Sequence, residues 1–378
     1  MASTIGTFET PLNAVLWGQL KNEVPHGVLG LRYEMKQIEE GPLRDTIQTL
    51  FDRLIKVLTP LFNETGMAPK LTLDSCTQLQ ERLLQKWGDE AFLTIWKNGK
   101  LRQGLKSIGS LKGQGPQSLQ EIRAWMRNKP ERLDRVSWLD LKNLGLKICP
   151  QELSAFHDLS FLNLSNNQLK YFNLDLSKMP KLHTLIINDN QLSLFSSNLT
   201  PCAALKFLSL KRNRLTDFSV ALTQAIELSH LDLAHNRLKS LSCDLSRCTQ
   251  LFMLDLSFNR IEDFRLDLTQ YPRLCSLYLS HNQLMSFSAD LSRSTNLNWF
   301  DISGNRISAF NSDLSQCVNL SLLNISYNKI STFDSDLSDC KHLYQFYYHG
   351  NPIPSSTFEN LKHKPWVQVQ PFIDFGHP

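Results

Sequence analysis

Asparagine returns every 23 residues along the chain, at nine successive positions. Leucine stands eight residues before each of these asparagines, and the pattern LxxLxLxxNxL surrounds them. A period between about 20 and 50 residues is typical of repeat proteins, in which each unit buries its apolar side against its neighbours. The period therefore predicts a solenoid. The asparagines are Asn167, Asn190, Asn213, Asn236, Asn259, Asn282, Asn305, Asn328 and Asn351.

The leucines of the pattern predict the local structure of each unit. The segment xLxLx alternates with a period of two, which is typical of a short β-strand with one buried face. Each repeat brings the chain back to the same edge, so we expect successive strands to pair in parallel. The asparagine follows the strand, where its amide can donate and accept hydrogen bonds for the polar groups of a buried turn. The sequence therefore predicts a ladder of stacked asparagines.

This motif resembles that of the leucine-rich-repeat superfamily, in its 23-residue subclass. The resemblance covers residues 136–351 and implies an α/β solenoid, a leucine-rich-repeat horseshoe with a parallel β-sheet on its concave side. We assign about ten repeats to residues 136–354, a small α-helical head to residues 1–135 and a C-terminal cap to residues 355–378. In the first unit, residues 136–146, Leu144 replaces the asparagine, which suits a capping repeat.

Three further positions recur in the repeats. Phenylalanine follows the asparagine by five residues in seven repeats, with Leu241 as the exception, and predicts an aromatic spine in the core. Serine or threonine always follows by ten residues and predicts the N-cap of a short turn. Cysteine follows by twelve residues in four repeats, where we expect it to fill the core without a metal. These cysteines are Cys202, Cys248, Cys317 and Cys340.

The first third of the chain lacks the repeat and predicts helices. Residues 43–62 and 77–96 follow helical spacing, and a third helix begins at Ser118 with a capping box completed by Glu121. The predicted buried residues of that third helix are Ile122, Trp125 and Met126. A basic, glycine-containing loop precedes it. This loop is open to two interpretations, a contact for phosphate or an acidic partner and a solvated connection, and no GxxxxGK[ST] motif favours the first.

Residues 120–127, with the sequence QEIRAWMR, lead directly into the first repeat. This junction is similar to the corresponding region of leucine-rich-repeat proteins from intracellular bacteria. The similarity implies an effector directed at a host cell, exported by a route that needs no hydrophobic signal.

Composition narrows the class of protein. The net charge of +4 is too small to indicate nucleic acid or an anionic membrane as the partner. No run approaches the ~20 apolar residues of a membrane span, and no secretory signal is visible. The eight cysteines form no small disulfide framework, which favours a reducing compartment, the cytoplasm. We expect a monomer that binds no nucleic acid.

The exposed strand positions predict where a partner binds. They lie six and four residues before each asparagine, and large apolar side chains alternate there with aspartates. Exposed aromatic residues on a rigid sheet are typical interface anchors, and the acids favour a partner with basic groups. The aspartates also allow a purely structural interpretation. The predicted contact residues are Trp138, Phe161, Phe207, Asp232, Met253, Asp255, Trp299 and Asp301.

The sequence carries no HExxH, paired CxxC, GxSxG or dinucleotide-binding glycine motif. We therefore predict a non-enzymatic module without a cofactor, whose partner is another protein. Two alternatives remain open: a substrate-recognition adaptor of a ubiquitin-ligase-type complex, and a regulatory subunit of an enzyme.

Overall fold

The computed structural model describes residues 88–97, 116–128, 130–195, 197–354 and 357. The predicted helix at 43–62, the basic loop and all of the predicted C-terminal cap except Thr357 lie outside the described residues. The described residues from Glu90 onward belong to one compact unit. In the part of the chain that the structure describes, no helix has the length and apolar character required to cross a bilayer.

Within the described residues, three helical segments precede the repeats: α1 at residues 88–97, α2 at Leu119–Asn128 and α3 at Pro130–Leu133. The predicted capping box is confirmed, because the Glu121 N–H donates to Ser118 Oγ over 3.2 Å and Glu121 Oε2 accepts from the Ser118 N–H over 3.3 Å. Helix α2 buries Ile122 and Met126 as predicted.

Helix α2 differs from the prediction at Trp125, which is only half-buried. Its ring meets that of Trp96, in α1, edge-on at 6.0 Å. The same helix is tied to the first repeat by an ion pair between Arg123 and Glu152. Arg123 therefore has a structural partner.

A ten-stranded parallel sheet confirms the solenoid. Each strand has three residues, and each residue pairs with the one 23 positions later, as Trp138 does with Phe161. The central residue of every strand is buried. The strands are β1 Trp138–Asp140, β2 Phe161–Asn163, β4 Thr184–Ile186, β6 Phe207–Ser209, β7 His230–Asp232, β8 Met253–Asp255, β9 Ser276–Tyr278, β11 Trp299–Asp301, β13 Leu322–Asn324 and β14 Gln345–Tyr347.

The predicted aromatic spine lies on the other side of the core. Consecutive phenylalanine rings lie with centroids 5.3 to 6.0 Å apart, and all these pairs are stacked except Phe195–Phe218, which is tilted by 54°. Leu241 interrupts the series between Phe218 and Phe264. Four spine residues also belong to two short parallel ladders. These ladders pair β3 Tyr171–Phe172 with β5 Leu194–Phe195, and β10 Ser286–Phe287 with β12 Ala309–Phe310.

The short turns behind the spine correct one prediction. Asp175 and Asp267 are the N-caps of 3₁₀ turns at Leu176–Lys178 and Leu268–Gln270, and each carboxylate accepts the N–H of the Ser177 or Thr269 that the sequence assigned as cap. The prediction was wrong by two residues. Serine, threonine and aspartate all suit this position, and the extended φ and ψ of the aspartate decide which of them is the cap.

The recurring cysteines are buried free thiols, as their spacing predicts. Burial raises the pKa of Cys202 to about 11 and, together with the neighbouring Cys340, that of Cys317 to about 12. A thiol with so high a pKa is a poor nucleophile at neutral pH. These residues therefore act as small apolar side chains in the core.

Each asparagine of the ladder connects two repeats. Asn259 Oδ1 accepts the N–H of Leu238 over 3.0 Å, while Nδ2 donates to the carbonyls of Leu233 and Leu256, both at 3.0 Å. Leu233 and Leu238 belong to the preceding repeat and Leu256 to the asparagine's own. The same pattern recurs from Asn167 to Asn351.

We expect Asn259→Ala to lower the free energy of unfolding by at least about 2 kcal/mol, because it leaves a buried N–H and two carbonyls without their partner. Urea titration followed by circular dichroism measures the change. Asn311→Ala is the control, since Asn311 is exposed and outside the ladder. Its expected effect is within about 0.5 kcal/mol. Equal losses in the two variants would show that the ladder is not a special source of stability.

Candidate functional site

The outward residues of the ten strands form two parallel rows on one sheet face, which we call the concave face. The first row holds the first residue of each strand and the second row the third. Because every pairing is in register, neighbours within a row are one strand apart, ~4.8 Å. Residues that are 23 positions apart in sequence therefore act as neighbours on one surface.

The first row begins with two stacked rings. Trp138 and Phe161 lie parallel, with centroids 3.4 Å apart and planes within 1°. Trp138 is 62% exposed, the second-highest value among the large exposed hydrophobic side chains of the described residues. Such exposure of an indole is unfavourable in water and is typical of an interface anchor.

Phe207 lies further along this row and is half-buried. Its ring stacks on His230 at 5.5 Å, and His230 meets Phe252 at 5.6 Å. Burial lowers the pKa of His230, so the imidazole is neutral at physiological pH. Beside these rings lies an open cleft of about 390 Å³, with room for one partner side chain. Lys206, Glu227, Ser229, His230, Gln250, Phe252 and Arg273 line it.

Ser276 separates the last two apolar residues of the predicted set. It pairs in register with Met253 on one side and Trp299 on the other, and it is buried. Trp299, by contrast, is 39% exposed.

The predicted aspartates lie in the second row. Asp232 and Asp255 pair directly in register and are half-buried, whereas Asp301 is only 8% exposed. In each of them Oδ1 accepts the backbone N–H two residues later, at 2.9 to 3.0 Å. The aspartates thus have a structural role, which the sequence left open.

The negative charge is not needed for that role. Asn163 and Asn324 occupy the same position in other repeats and accept the equivalent N–H over 3.0 and 3.2 Å. Burial and the adjacent Asp255 raise the pKa of Asp232 to about 6, against weaker lowering by the Ala234 N–H, Lys211 and Ser209. Keeping Asp232 ionised therefore costs stability, which is typical of residues retained for function.

Sequence reasoning missed the residue that precedes each asparagine. In all nine of these repeats, and at Asn143 before Leu144 in the first repeat, it has a positive φ between 52° and 70°, a conformation that glycine favours. The signal was present, since this position holds Asn143, Asn166, Gly304 and Gly350. In the middle repeats it holds His235, Phe258 and His281, whose rings stack at 4.2 and 4.3 Å. Phe258 lies between the two histidines, so they cannot share one metal ion.

The comparisons with known proteins give solved structures of the same kind. The functional domain of InlJ from Listeria monocytogenes is 23% identical, with a TM-score of 0.45, and the match covers 63% of this chain and 58% of that one. An internalin, inlF, from Listeria monocytogenes is 21% identical at a TM-score of 0.40, covering 66% and 86%.

A leucine-rich-repeat protein from Leptospira interrogans is 18% identical at a TM-score of 0.31, covering 64% and 85%. The chain thus spans less than two thirds of the InlJ domain. No family model and no curated protein matches it. The leucine-rich-repeat architecture rests on the chain's own sheet, asparagine ladder and spine.

We expect Asp232→Asn to raise the free energy of unfolding at pH 8 by about 1–2 kcal/mol. The folded-state pKa is raised, so the protonated form favours folding and this stability is lost as the pH rises through about 6. The gain should vanish by about pH 3, below the unfolded-state pKa of about 3.9, where the carboxyl is protonated in both states. Thermal melts between about pH 3 and 8 measure it.

Asp290→Asn is the matched control. Asp290 is an exposed turn residue whose pKa is lowered by hydrogen bonds from Ser292, so its charge favours the fold. This variant should gain no stability at pH 8. A gain there equal to that of Asp232→Asn would contradict a specific cost of the concave-face pair.

Proposed function

We propose that this chain is a protein-binding module that holds its partner on the concave face. The observation that supports this most directly is the in-register apolar row, from the exposed Trp138–Phe161 stack to Trp299. Ten strands give a surface roughly 43 Å long, which suits a protein better than a small molecule.

The chemistry of the two rows describes the partner. The first row offers aromatic and aliphatic contacts with a cleft at His230. The second row offers the carboxylates of Asp232 and Asp255 beside it. We propose a partner that presents an apolar patch flanked by lysine or arginine, because such a cation would relieve the repulsion between the two carboxylates. Asp301 contributes less, since it is nearly buried.

We further propose that the module is non-enzymatic and needs no cofactor. Its candidate site consists of side chains that bind rather than react: aromatic rings, a methionine and carboxylates already engaged with backbone N–H groups. Among the histidines of the described residues, His230 is stacked between two phenylalanine rings, and His235 is stacked on Phe258.

We also propose that the protein acts in a reducing cytoplasm, as an effector delivered to a host cell. The seven cysteines of the described residues are free thiols, six of them buried. The effector role is supported by the similarity of residues 120–127 to the junction in leucine-rich-repeat proteins of intracellular bacteria.

We expect Trp299→Glu to weaken partner capture at least about 30-fold while leaving the fold intact, because it removes an exposed anchor and adds a charge next to the acidic row. Pull-down from a cell lysate followed by quantitative mass spectrometry compares the variant with the wild type. Circular dichroism confirms the fold.

Ile226→Glu is the matched control, since Ile226 is 43% exposed, close to the 39% of Trp299, but lies outside the sheet. Ile226→Glu should capture the same proteins as the wild type, in the same amounts. If every protein captured by the wild type is retained by Trp299→Glu, the concave face is not the binding surface.

The effector role has a separate test. We expect a fusion of the chain to a calmodulin-dependent adenylate cyclase reporter, expressed in the source bacterium, to raise cyclic AMP in infected host cells. The reporter alone is the control. A signal no higher than that control would refute delivery without affecting the concave-face proposal.

A further inference from the structure

A row of cations follows one rim of the solenoid, at the turn that leaves each strand. It is formed by the residues directly before and directly after the ladder asparagine in the six repeats from Asn213 to Asn328. These two positions hold six cations and no aspartate or glutamate in those repeats. We call this row the basic rim: Arg212, Arg214, Arg237, Arg260, Arg306 and Lys329.

The backbone fixes the spacing of the basic rim. The N–H of Arg237 donates to the Leu215 carbonyl over 2.8 Å, and that of Arg260 donates to the Leu238 carbonyl over 2.9 Å. Arg306 and Lys329 repeat the contact at 2.9 Å. The cations therefore stand one repeat apart, and the five steps from Arg214 to Lys329 extend over ~24 Å. Only Gln283 interrupts the row.

The charges of the basic rim are available to a ligand. All six side chains are exposed. Of these six residues, only Arg212 forms an ion pair within the described ranges, with Asp189 over 3.8 Å. Like charges at this spacing repel one another, so the row gains free energy when an anionic chain lies along it. Its length matches about seven residues of an extended peptide at ~3.3 Å per residue.

The neighbouring aromatic residues indicate whether the basic rim suits a single-stranded nucleic acid or an acidic peptide. A single-stranded nucleic acid gains much of its affinity from bases that stack on open ring faces. Here His235, Phe258 and His281 stack on one another at 4.2 and 4.3 Å, so their inner faces are closed. The outer face of His281 covers Gly304, where an added Cβ would lie 2.9 Å from Nδ1. Tyr327, at the same position before Asn328, is 53% exposed, but one side of its ring covers Gly350, where an added Cβ would lie 2.8 Å from Cδ1. This rim thus offers charge with few open faces for stacking.

We propose that the basic rim binds an extended, carboxylate-rich segment of a partner protein. Arginine suits this ligand because its planar guanidinium pairs with a carboxylate through two hydrogen bonds. Alternate side chains of the segment would face the rim at ~6.6 Å, a spacing that flexible arginines one repeat apart can follow. This surface goes beyond the concave-face proposal, because none of its six residues lies in a strand.

The test uses the full chain and a fluorescein-labelled octaglutamate peptide, with binding measured by fluorescence anisotropy. We expect binding that weakens as sodium chloride rises from 50 to 200 mM. The triple variant Arg237→Gln, Arg260→Gln, Arg306→Gln should weaken it about tenfold. Glutamine occupies the same position at Gln168, Gln191 and Gln283, so the fold accepts it.

The matched control is Arg135→Gln, Arg247→Gln, Arg293→Gln, which removes three exposed arginines that lie away from both the basic rim and the cleft at His230. Its affinity should stay within about twofold of the wild type. Equal losses in both triples, or no binding by the wild type, would overturn the proposal. So would tighter, rim-dependent binding of a labelled octauridine RNA, which would make the rim a nucleic-acid surface. Trp299→Glu should bind octaglutamate like the wild type, which separates this test from that of the concave face.

Discussion

The fold depends on one hydrogen-bonded side chain in each repeat. The ladder asparagine accepts from a backbone N–H of the preceding repeat and donates to carbonyls of both that repeat and its own. A neighbouring repeat that slipped by one residue would lose these contacts and leave buried polar groups unpaired, at about 1–3 kcal/mol each. The amide therefore fixes the register of the parallel sheet and, with it, the alignment of every other position into a row.

Alignment into rows gives the solenoid separate faces with separate chemistry. The spine and the cysteine position fill the core, and the strands present an apolar row beside Asp232 and Asp255. The turn after the strand presents arginine, while the turns behind the spine present exposed aspartates that cap their own backbone, such as Asp244 and Asp290.

The sequence predicts the structural features that the 23-residue period determines by itself. The strands, their parallel order, the asparagine ladder and the phenylalanine spine all follow from the spacing of one residue type. The sequence could not decide properties that depend on neighbours in other repeats. Trp299 is 39% exposed whereas Ser276, its neighbour in the first row, is buried, and Asp301 is buried although Asp255, in the second row with it, is only half-buried. The sequence predicted Ser177 as the N-cap, whereas the structure has Asp175 there. Both residue types are suitable caps, and only the backbone angles distinguish them.

Two asparagines of the second row indicate whether the aspartates of that row are needed for folding or for binding. Asn163 and Asn324 accept the same turn N–H without a charge, so selection for folding alone would favour asparagine at Asp232 as well. The ionised carboxylate is instead kept next to Asp255, where burial and repulsion act against it. A binding partner that places a cation beside Asp232 offsets both the burial and the repulsion from Asp255. The ionised carboxylate then destabilises the free protein but stabilises the complex. A partner that meets the concave face and the basic rim together would carry basic and apolar groups for the first and carboxylates for the second.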